Sequence, residues 1–484
     1  MKHNKLFLLG VYLFLSLRIG VVQGQNLNNQ RIDGYKGIWF TLGQFSEFGD
    51  KYSGGLGTYT AKHIPLAIYA PEVQKTFFVY GGIAEGRPSD ADKPNRKSKD
   101  YGNYLLCMVG CFDHKTQTVS KPVVVHDKNG VFDPHDNPSI AMDDKGYIWV
   151  FVSGRGTGRP GYIYRGEKPY NIDRFDSIYS GEMTYPQPKY IPGKGFLYLF
   201  TKYQGVRLLY FNTSADGRKW AEDQQLVAIK RKEDRYGGHY QISGQTGNKI
   251  GFFYNWHPNG NVDLRTNIYY MQTTDFGKTW TTVDGKSLSI PITEVDNPTM
   301  VREFFSKGEN VYIKDIAYDK SGHPVALYVS GTGYQPGPQN GLKKWAVIYW
   351  NGKEWINREI TTSDHNYDTG SLWVEDKVWT VIGPTENGPQ PWGGGGEIVI
   401  WKSYDKGDTW LKYKQVTRNS TLNHNYVRKV AHGVDPFLYF WADGDPNKIS
   451  KSELYFGDSQ GHTWKLPYRM SSDQQSPEAV KLEE

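Results

Sequence analysis

Apolar residues occur along this chain in short runs, and polar turn-forming residues separate one run from the next. Segments 147–152, 196–200 and 397–401 are rich in aromatic and branched apolar residues, which favour β-strands. Glycine, aspartate, asparagine and lysine lie between such runs, as they do in hairpin turns. No segment carries the apolar stripe of an amphipathic helix over three or more turns. The pattern therefore predicts an all-β protein.

A short phrase, Asp-x-Gly-x-Thr-Trp, returns at the ends of these runs. It is complete at 275–280 and 405–410, and worn copies occur at 144–149, 216–220, 351–355 and 459–464. The aspartate is suited to cap turn amides, the glycine to adopt positive φ, and the tryptophan to pack between sheets. The phrase resembles the Asp-box of β-propellers.

The tryptophans of these copies recur roughly every 55–75 residues, a spacing typical of radial arrays in which each unit packs on its neighbours. Seven units across residues 25–484 would contain about 66 residues each. We therefore predict one domain over 25–484, a seven-bladed β-propeller with Asp-box-like hairpins.

The first 24 residues are typical of an export signal. Lys2 and Lys5 give a basic start, residues 6–17 are mostly apolar, and 22–24 end on a small residue before Gln25. Arg18 interrupts the apolar stretch, which argues against a membrane anchor. The sequence thus predicts cleavage after residue 24 and a secreted or periplasmic monomer.

Charge narrows the classes of ligand. The formal net charge is +6, and the lysines and arginines are dispersed rather than gathered into a stripe. This distribution does not favour nucleic acid, but it suits an anionic oligo- or polysaccharide. The glycine-rich segment 152–161 lacks the Lys-Ser/Thr ending of a phosphate loop. No cofactor is expected.

The two cysteines, Cys107 and Cys111, lie in one predicted strand. Four residues of strand separate them by about 13 Å, too far for a disulfide without a bulge. Together with His114 they form a Cys-x3-Cys-x2-His pattern that suits zinc, but a fourth ligand is not evident. We interpret them as buried free thiols and predict no metal site, although the zinc reading stays open.

The densest group of candidate site residues lies in the loop 131–140. Asp133, His135, Asp136 and Asn137 lie there, and Pro134 and Pro138 restrict the backbone that carries them. A rigid loop that places a histidine between carboxylates can position a general base and set its tautomer. The alternative is a structural turn rich in aspartate and asparagine.

Further candidates lie at comparable positions next to other predicted strands. Arg207 alternates with apolar residues, as expected of an inward-facing arginine, and Arg155 lies in a glycine-rich turn suited to hold a carboxylate or sulfate. The alternative for Arg207 is a structural ion pair, and the alternative for Arg155 is a solvated hairpin turn. The remaining candidates are His63, Tyr185, Lys202, Tyr203, His239 and Tyr240.

Several segments together resemble a known group of proteins. These segments are 62–65, 77–81, 133–139 and 185–188, along with the Asp-boxes and the export signal. They resemble the seven-bladed BNR-repeat proteins of Bacteroidetes, which include propeller ulvan lyases, related α-L-rhamnosidases and an ulvan oligosaccharide dehydratase. The resemblance covers nearly all of 25–484 and indicates the fold and the glycan class rather than the reaction.

The resemblance also implies residue roles. In the lyases an arginine masks the uronate carboxylate while a histidine and a tyrosine exchange protons; these roles fall on Arg207, His135 and Tyr185. Arg155, Lys202, Tyr203, His239 and Tyr240 are then substrate-binding residues. The lyases carry a second histidine one hairpin later, where this chain has glycines and Arg155 at 154–158. The rhamnosidases use a histidine in the first blade, which His63 matches.

Three functions follow from these observations. The leading one is β-elimination at C4–C5 of a uronate in ulvan-type glycans, either by cleaving the chain or by dehydrating the terminal uronate. The alternatives are an exo-α-L-rhamnosidase-type hydrolase and a glycan-binding propeller without catalysis. Endo or exo action, sulfate recognition and the face of the propeller that holds the site stay open.

Overall fold

The computed structural model describes residues 27–83, 105–129 and 133–481, and strands form nearly all of its regular structure. Within these ranges the helices are short 3₁₀ turns at Pro134–Asp136, Pro258–Gly260, Phe305–Lys307 and Pro338–Asn340. None of them is long or apolar enough to cross a membrane. The all-β prediction is confirmed. The predicted export signal, 1–24, lies outside the described residues.

The described strands form seven sheets of four or more strands and two smaller ones, with antiparallel pairing in each. Sheet 1 contains Leu27–Arg31, Ala67–Ala70, Lys75–Gly82, Leu106–Asp113, Thr118–Ser120, Val123–Asp127 and Gln474–Gln475. Sheet 2 contains Pro138–Met142, Ile148–Val152, Gly161–Gly166 and Phe175–Gly181. Sheet 3 contains Thr184–Ile191, Gly195–Tyr203, Arg207–Ser214 and Gln224–Val227.

The other sheets follow in chain order. Sheet 4 contains Gln241–Thr246, Lys249–Trp256, Thr266–Thr273, Trp280–Thr281, Ser287–Leu288 and Met300–Arg302. Sheet 5 contains Asn310–Tyr318, Pro324–Gly331, Lys343–Trp350 and Trp355–Ser363. Sheet 6 contains Ser371–Val374, Trp379–Glu386, Glu397–Ser403 and Leu411–Gln415. Sheet 7 contains Asn423–Lys429, Tyr439–Gly444, Leu454–Gly457, Thr463–Lys465 and Glu478–Val480.

Two small sheets complete the described strands. One joins Gly37–Thr41, Ser53–Gly55 and Ser450–Ser452, and the other pairs Phe45–Ser46 with Gly49–Asp50.

The core lies between successive sheets. Buried apolar clusters join sheets 2 and 3, 3 and 4, 4 and 5, 5 and 6, and 6 and 7, and one large cluster joins sheet 7 to sheets 1 and 2. Aromatic pairs mark these junctions: Trp149–Phe196, Phe211–Trp280, Phe253–Trp355, Tyr349–Trp379, Trp373–Tyr439 and Phe112–Phe456. Each sheet therefore buries its faces on its two neighbours in the stack.

Residues far apart in sequence also hydrogen-bond to one another. Ala431, just after the first strand of sheet 7, donates to Ala67 O at 2.9 Å, and Tyr69 donates to Ala431 O at 3.0 Å. Gln474–Gln475 pairs with Thr118–Ser120 in sheet 1. Late segments of the chain thus complete the neighbourhood of the first sheet.

The Asp-box turns have the geometry that the phrase predicts. Asp275 accepts from the backbone N–H and the hydroxyl of Thr279 at 3.0 and 2.7 Å. Gly277 adopts φ 84°, and Trp280 is buried. In the copy at 459–464 the cap differs, because Asp458 rather than Ser459 accepts from the turn amides of Gln460 and His462.

Candidate active site

A cavity of about 380 Å³ lies at one end of the first strands of several sheets. Its described walls carry His135, six cationic side chains and seven tyrosines. The cations are Lys51, Lys62, Arg155, Arg207, Arg265 and Lys314. The tyrosines are Tyr52, Tyr59, Tyr185, Tyr240, Tyr312, Tyr367 and Tyr426. The pocket therefore combines proton-transfer groups with a positive potential.

Irregular strands bring three of these side chains to the cavity. The first strands of sheets 3, 5 and 7 change register at Tyr185, Lys314 and Tyr426 respectively. Tyr185 and Tyr426 also adopt φ of 53° and 55°, a region that side-chain-bearing residues rarely occupy. Bulges of this kind re-aim a side chain, and strained backbone clusters at functional sites.

His135 lies in the 3₁₀ turn Pro134–Asp136, whose preceding residue, Asp133, caps it by accepting from the His135 N–H at 3.1 Å. Asp133 Oδ1 also accepts from His135 Nδ1 at 2.5 Å. With the proton on Nδ1, the Nε2 atom of His135 keeps a lone pair and lies 3.5 Å from the Tyr59 hydroxyl. Such a histidine can accept a proton at Nε2.

Two arginines hold the partner carboxylate of His135 in its charged form. Arg159 and Arg155 pair with Asp133 Oδ2 at 2.6 and 3.0 Å. Burial opposes ionisation of Asp133, but His135, Arg159 and Arg155 hold its pKa well below the usual range. The aspartate therefore stays anionic and orients His135.

Tyr185 lies between His135 and Tyr240, with ring centroids 5.8 and 5.7 Å away. The guanidinium of Arg207 lies 5.5 Å from the Tyr240 ring, and Arg265 lies 5.0 Å from the same ring. Arg207 Nε donates to the Tyr203 hydroxyl at 3.1 Å. The three aromatic groups and the two arginines therefore form one cluster.

The pKa values of the two central tyrosines, Tyr185 and Tyr240, are shifted in opposite directions. Burial, with Tyr203 and Tyr240 nearby, raises the pKa of Tyr185 well above its ordinary value. Burial also opposes ionisation of Tyr240, yet Arg207, Arg265 and a hydrogen bond from Tyr185 lower the pKa of Tyr240. Neighbouring groups whose pKa values are driven apart are suited to act as acid and base.

Carboxylates are scarce at this cavity. Asp263 is the one acidic side chain among the described residues of its wall, and it pairs with Lys51. Arg155 pairs with Asp133 behind the wall, and burial lowers the pKa of Lys62 well below its ordinary value and that of Lys314 to about 7. Arg207 and Arg265 are therefore the charged side chains of the described wall that have no carboxylate partner. An anionic ligand is favoured.

Arg265 and Lys62 were missed in the sequence. Arg265 is buried and donates to the Tyr367 hydroxyl at 2.6 Å, while Lys62 is buried and donates to Ile313 O at 2.9 Å. Arg265 directly precedes the strand Thr266–Thr273, as Arg207 begins its own strand, so a search for arginines at strand starts would have found it. Lys62 begins the segment 62–65 that contributes to the family resemblance, but only His63 of that segment was named as a site residue.

His63 lies behind the cavity wall rather than in it. Its Nδ1 accepts from the Thr60 N–H at 3.3 Å, and its Nε2 donates to His135 O at 3.0 Å. Burial, followed by the charge of Arg428, lowers the pKa of His63 to about 3. His63 is thus neutral and supports the loop that carries His135.

The other predicted binding residues differ in position. Arg155 and Tyr240 line the cavity, and Tyr203 holds Arg207 from outside its wall. Lys202 pairs with Asp223 at 2.6 Å. His239 is buried; it donates to Asn255 O at 3.0 Å and accepts from the Ile229 N–H at 3.1 Å. Lys202 and His239 do not lie in the wall of this cavity.

The cysteines are free and buried in one strand, Leu106–Asp113. His114 contacts Thr76 Oγ1 at 2.8 Å through Nε2. Over the described part of the chain, no cluster of three or more histidine, cysteine or acidic side chains is arranged to hold a metal ion.

Comparison with known proteins places this fold in context. A family model described as a BNR repeat-containing family member matches residues 108–363. An ulvan lyase of Pseudoalteromonas sp. (strain PLSV), named as PL25, is 24% identical over 334 residues, which are 60% of this chain and 65% of that protein. An ulvan lyase of Nonlabens ulvanivorans is 22% identical over 375 residues, or 66% of this chain and 76% of that one.

The alignment with the Pseudoalteromonas enzyme spans less than two thirds of its length. A solved structure of a PL25 ulvan lyase superposes with a TM-score of 0.67 at 18% identity, covering 89% of this chain and 96% of the other. A second structure, bound to -[GlcA(1-4)Rha3S]-, gives a TM-score of 0.67. The superposition shows a shared fold.

Proposed function

This chain belongs to the BNR repeat-containing family, and from that premise we propose that it is a carbon–oxygen lyase acting on uronate-containing glycans of the ulvan type. The observation that carries the proposal is the meeting of His135, Tyr185 and Arg207 in one cationic cavity. Its relatives named as ulvan lyases support the substrate class.

The reaction we propose is β-elimination. A base removes the proton at C5, the C–H electron pair forms the C4=C5 double bond, and the bond from C4 to its oxygen breaks. The leaving oxygen takes a proton from an acid. If that oxygen belongs to the next sugar the chain is cleaved; if it is a terminal hydroxyl, water leaves.

The geometry supports the following proposed residue roles. Arg207, with Arg265 beside it, pairs with the uronate carboxylate and stabilises the charge that develops when C5 loses its proton. His135 accepts that proton at Nε2 because Asp133 holds the proton on Nδ1. Tyr185, whose pKa is raised, stays protonated and donates to the leaving oxygen.

The hydrolase alternative is less well supported. Glycosidases ordinarily use a pair of carboxyl groups across the bond that breaks. In the described wall only Asp263 is acidic, and Lys51 pairs with it. A binding protein without catalysis remains an outcome of the test below.

The test is incubation with ulvan and with rhamnose–glucuronate oligosaccharides, following ultraviolet absorbance and product mass together. Absorbance of the unsaturated uronate with shorter chains identifies a chain-cleaving lyase, and the same absorbance with loss of one water identifies a dehydratase. Free rhamnose without absorbance would establish the hydrolase. Binding with neither product would establish a binding protein.

The seven larger sheets are, in this proposal, the blades of a propeller around a central channel. The support is the order of the buried clusters, which runs from sheet 1 to sheet 7 and returns to sheet 1. The hydrogen bonds between Ala431 and the Ala67–Ala70 strand are consistent with that closure. A crystal structure in which sheets 7 and 1 are separated would overturn it.

The proposal also covers export, signal cleavage and the oligomeric state of the protein. The basic and apolar composition of 1–24 supports export with cleavage before Gln25, and the mature chain is proposed to be a monomer without a membrane anchor. Mass spectrometry of the exported protein and light scattering test these statements. An uncleaved chain or a dimer mass would contradict them.

A further inference from the structure

A second, larger cavity of about 870 Å³ lies at the other ends of the same inner strands. In the strand Thr184–Ile191, Tyr185 lines the first cavity and Lys189 lines the second. Lys314 lines both. The volume of the second cavity falls within the range of roughly 300–1,000 Å³ that ligand sites occupy. This space is distinct from the site described above.

Four lysine and arginine side chains line the second cavity, and three of them donate hydrogen bonds to carbonyl groups of the protein. Lys314 donates to Asn366 O at 2.7 Å. Arg428 donates to Thr58 O at 3.1 Å and to two further carbonyl groups. Lys429 donates to Ile316 O at 2.7 Å and pairs with Asp315 at 2.9 Å.

Lys189 is the exception. Its side chain is only 8% exposed, and within the described chain its ammonium has neither a hydrogen-bond acceptor nor an ion-pair partner. Burial, followed by repulsion from Lys429 and opposed by Asp315, lowers the pKa of Lys189 to about 7. An ammonium placed in this way is destabilising unless something in the cavity pairs with it.

The acidic groups of the cavity already have partners. Asp315 accepts from the N–H groups of Ile316 and Leu372 as well as from Lys429. Asp143 accepts from turn amides and from Trp149 Nε1. Asp144 lies beside the Tyr190 hydroxyl. The remaining titratable groups in the wall are Tyr318 and His432. None of these carboxylates is bonded to Lys189.

Much of the remaining wall is apolar, with Ile64, Leu66, Ile140, Ala141 and Ile316 among its residues. We propose that this cavity is a second binding site, for a small organic anion whose carboxylate pairs with Lys189 and whose apolar face lies on these side chains. Such a ligand is either a sugar acid or an aliphatic acid, since both carry a carboxylate next to C–H groups, on one face of the sugar ring or along the aliphatic chain. The inference does not depend on the reaction at the first cavity.

Calorimetric titration tests the proposal with three probes: D-glucuronate, octanoate and inorganic sulfate. The protein carries Arg207→Met, which weakens anion binding at the first cavity, and the lysine variants below assign the remaining binding to one cavity or the other. At pH 6 one of the two organic acids is expected to bind at one site, and its affinity is expected to fall at least tenfold by pH 8.5 as Lys189 loses its proton. Which acid binds decides between the two sources.

Two lysine variants complete the experiment. Lys189→Met is expected to weaken binding at least tenfold, whereas Lys194→Met, an exposed neighbour on the same hairpin, leaves it unchanged. Lys189→Met is also expected to raise the melting temperature below pH 7, because it removes an unpaired buried charge, and this confirms folding. Failure of both organic acids to bind, binding of sulfate alone, or undiminished binding by Lys189→Met would overturn the proposal.

Discussion

The Nδ1 atom of His135 lies 2.5 Å from Oδ1 of Asp133, and the opposite ring nitrogen faces the cavity near Tyr59. The carboxylate thus fixes which nitrogen of the imidazole carries the proton. His135→Ala is expected to reduce kcat by about 100- to 10,000-fold, the range associated with a lost general base.

Asp133→Asn tests whether the carboxylate of Asp133 is needed to set the tautomer of His135. The amide keeps the shape of the side chain but lets His135 adopt the wrong tautomer, so kcat is expected to fall about 100-fold or more while substrate still binds. Steady-state kinetics on the oligosaccharide and a direct binding titration provide the two readouts. Retained kcat in Asp133→Asn would show that His135 does not depend on Asp133 to set its tautomer.

Removal of Arg207 tests the masking of the carboxylate. Arg207→Met is expected to lower kcat about 100- to 1,000-fold, since a charge-stabilising donor at the reacting group is lost. Arg174→Met is the matched control, because Arg174 is exposed and pairs with Glu167 on the outer part of sheet 2. Equal activities in the two variants would exclude this role for Arg207.

The ionisation of Tyr240 should respond to Arg265. Because Arg207 and Arg265 lower the pKa of Tyr240, Arg265→Met is expected to raise it. Tyrosinate absorbance followed against pH should then shift to more alkaline values in Arg265→Met and vanish for this residue in Tyr240→Phe. If the lower-pKa transition persists in Tyr240→Phe, another tyrosine is responsible.

Buried histidines should make the fold sensitive to acid. Burial lowers the pKa of His63 to about 3 and that of His239 to about 4, so the folded chain binds fewer protons than the unfolded chain below pH 6.5. Stability from these groups is complete above pH 6.5, is lost progressively as the pH falls from 6.5 towards 4 and 3, and changes no further below those folded-state pKa values. The melting temperature should drop steeply over that interval, and His239→Gln should flatten the drop. An unchanged slope would contradict the assignment.

The Asp-box glycine offers a stability test with an internal control. Gly277 and Gly285 adopt φ of 84° and 85°, but an added Cβ at Gly277 would lie 2.5 Å from the Phe211 ring, whereas at Gly285 it meets open space. Gly285→Ala is expected to destabilise the fold by about 1 kcal/mol through backbone strain alone. Gly277→Ala should destabilise the fold by about 1–3 kcal/mol more than Gly285→Ala does, because of overpacking against Phe211. Denaturant unfolding measures both losses. Equal losses would mean that Phe211 yields freely.

Features formed by residues close together in the sequence were predicted, whereas features formed by residues far apart in the sequence were not. The Asp-box turns were predictable because the residues that form them lie within five positions of one another, as Asp275 and Thr279 do. His135, Tyr185 and Arg207 were named individually from local patterns and from family resemblance. Their meeting depends on the packing of the turn before sheet 2 against two strands of sheet 3, which no local pattern encodes.

Two predicted site residues that lie outside the cavity wall show the same limit. Lys202 and His239 stand next to strands in the way that site residues do, but their partners, Asp223 and Asn255, were not visible as such in the sequence. Arg265 was missed because its tyrosine partner, Tyr367, lies 102 residues further along the chain. Burial and pairing, rather than residue type, separate a site residue from a structural one.

The pairing of Gln474–Gln475 with Thr118–Ser120 has a consequence for how the protein is made. During synthesis from the N-terminus, the first sheet cannot be completed until nearly the whole chain has emerged. Until then, the face of sheet 1 that packs on sheet 7 stays exposed, which favours aggregation and proteolysis. Maturation is therefore expected to be slow and governed by long-range contacts, with the cavities forming only when the last strands dock.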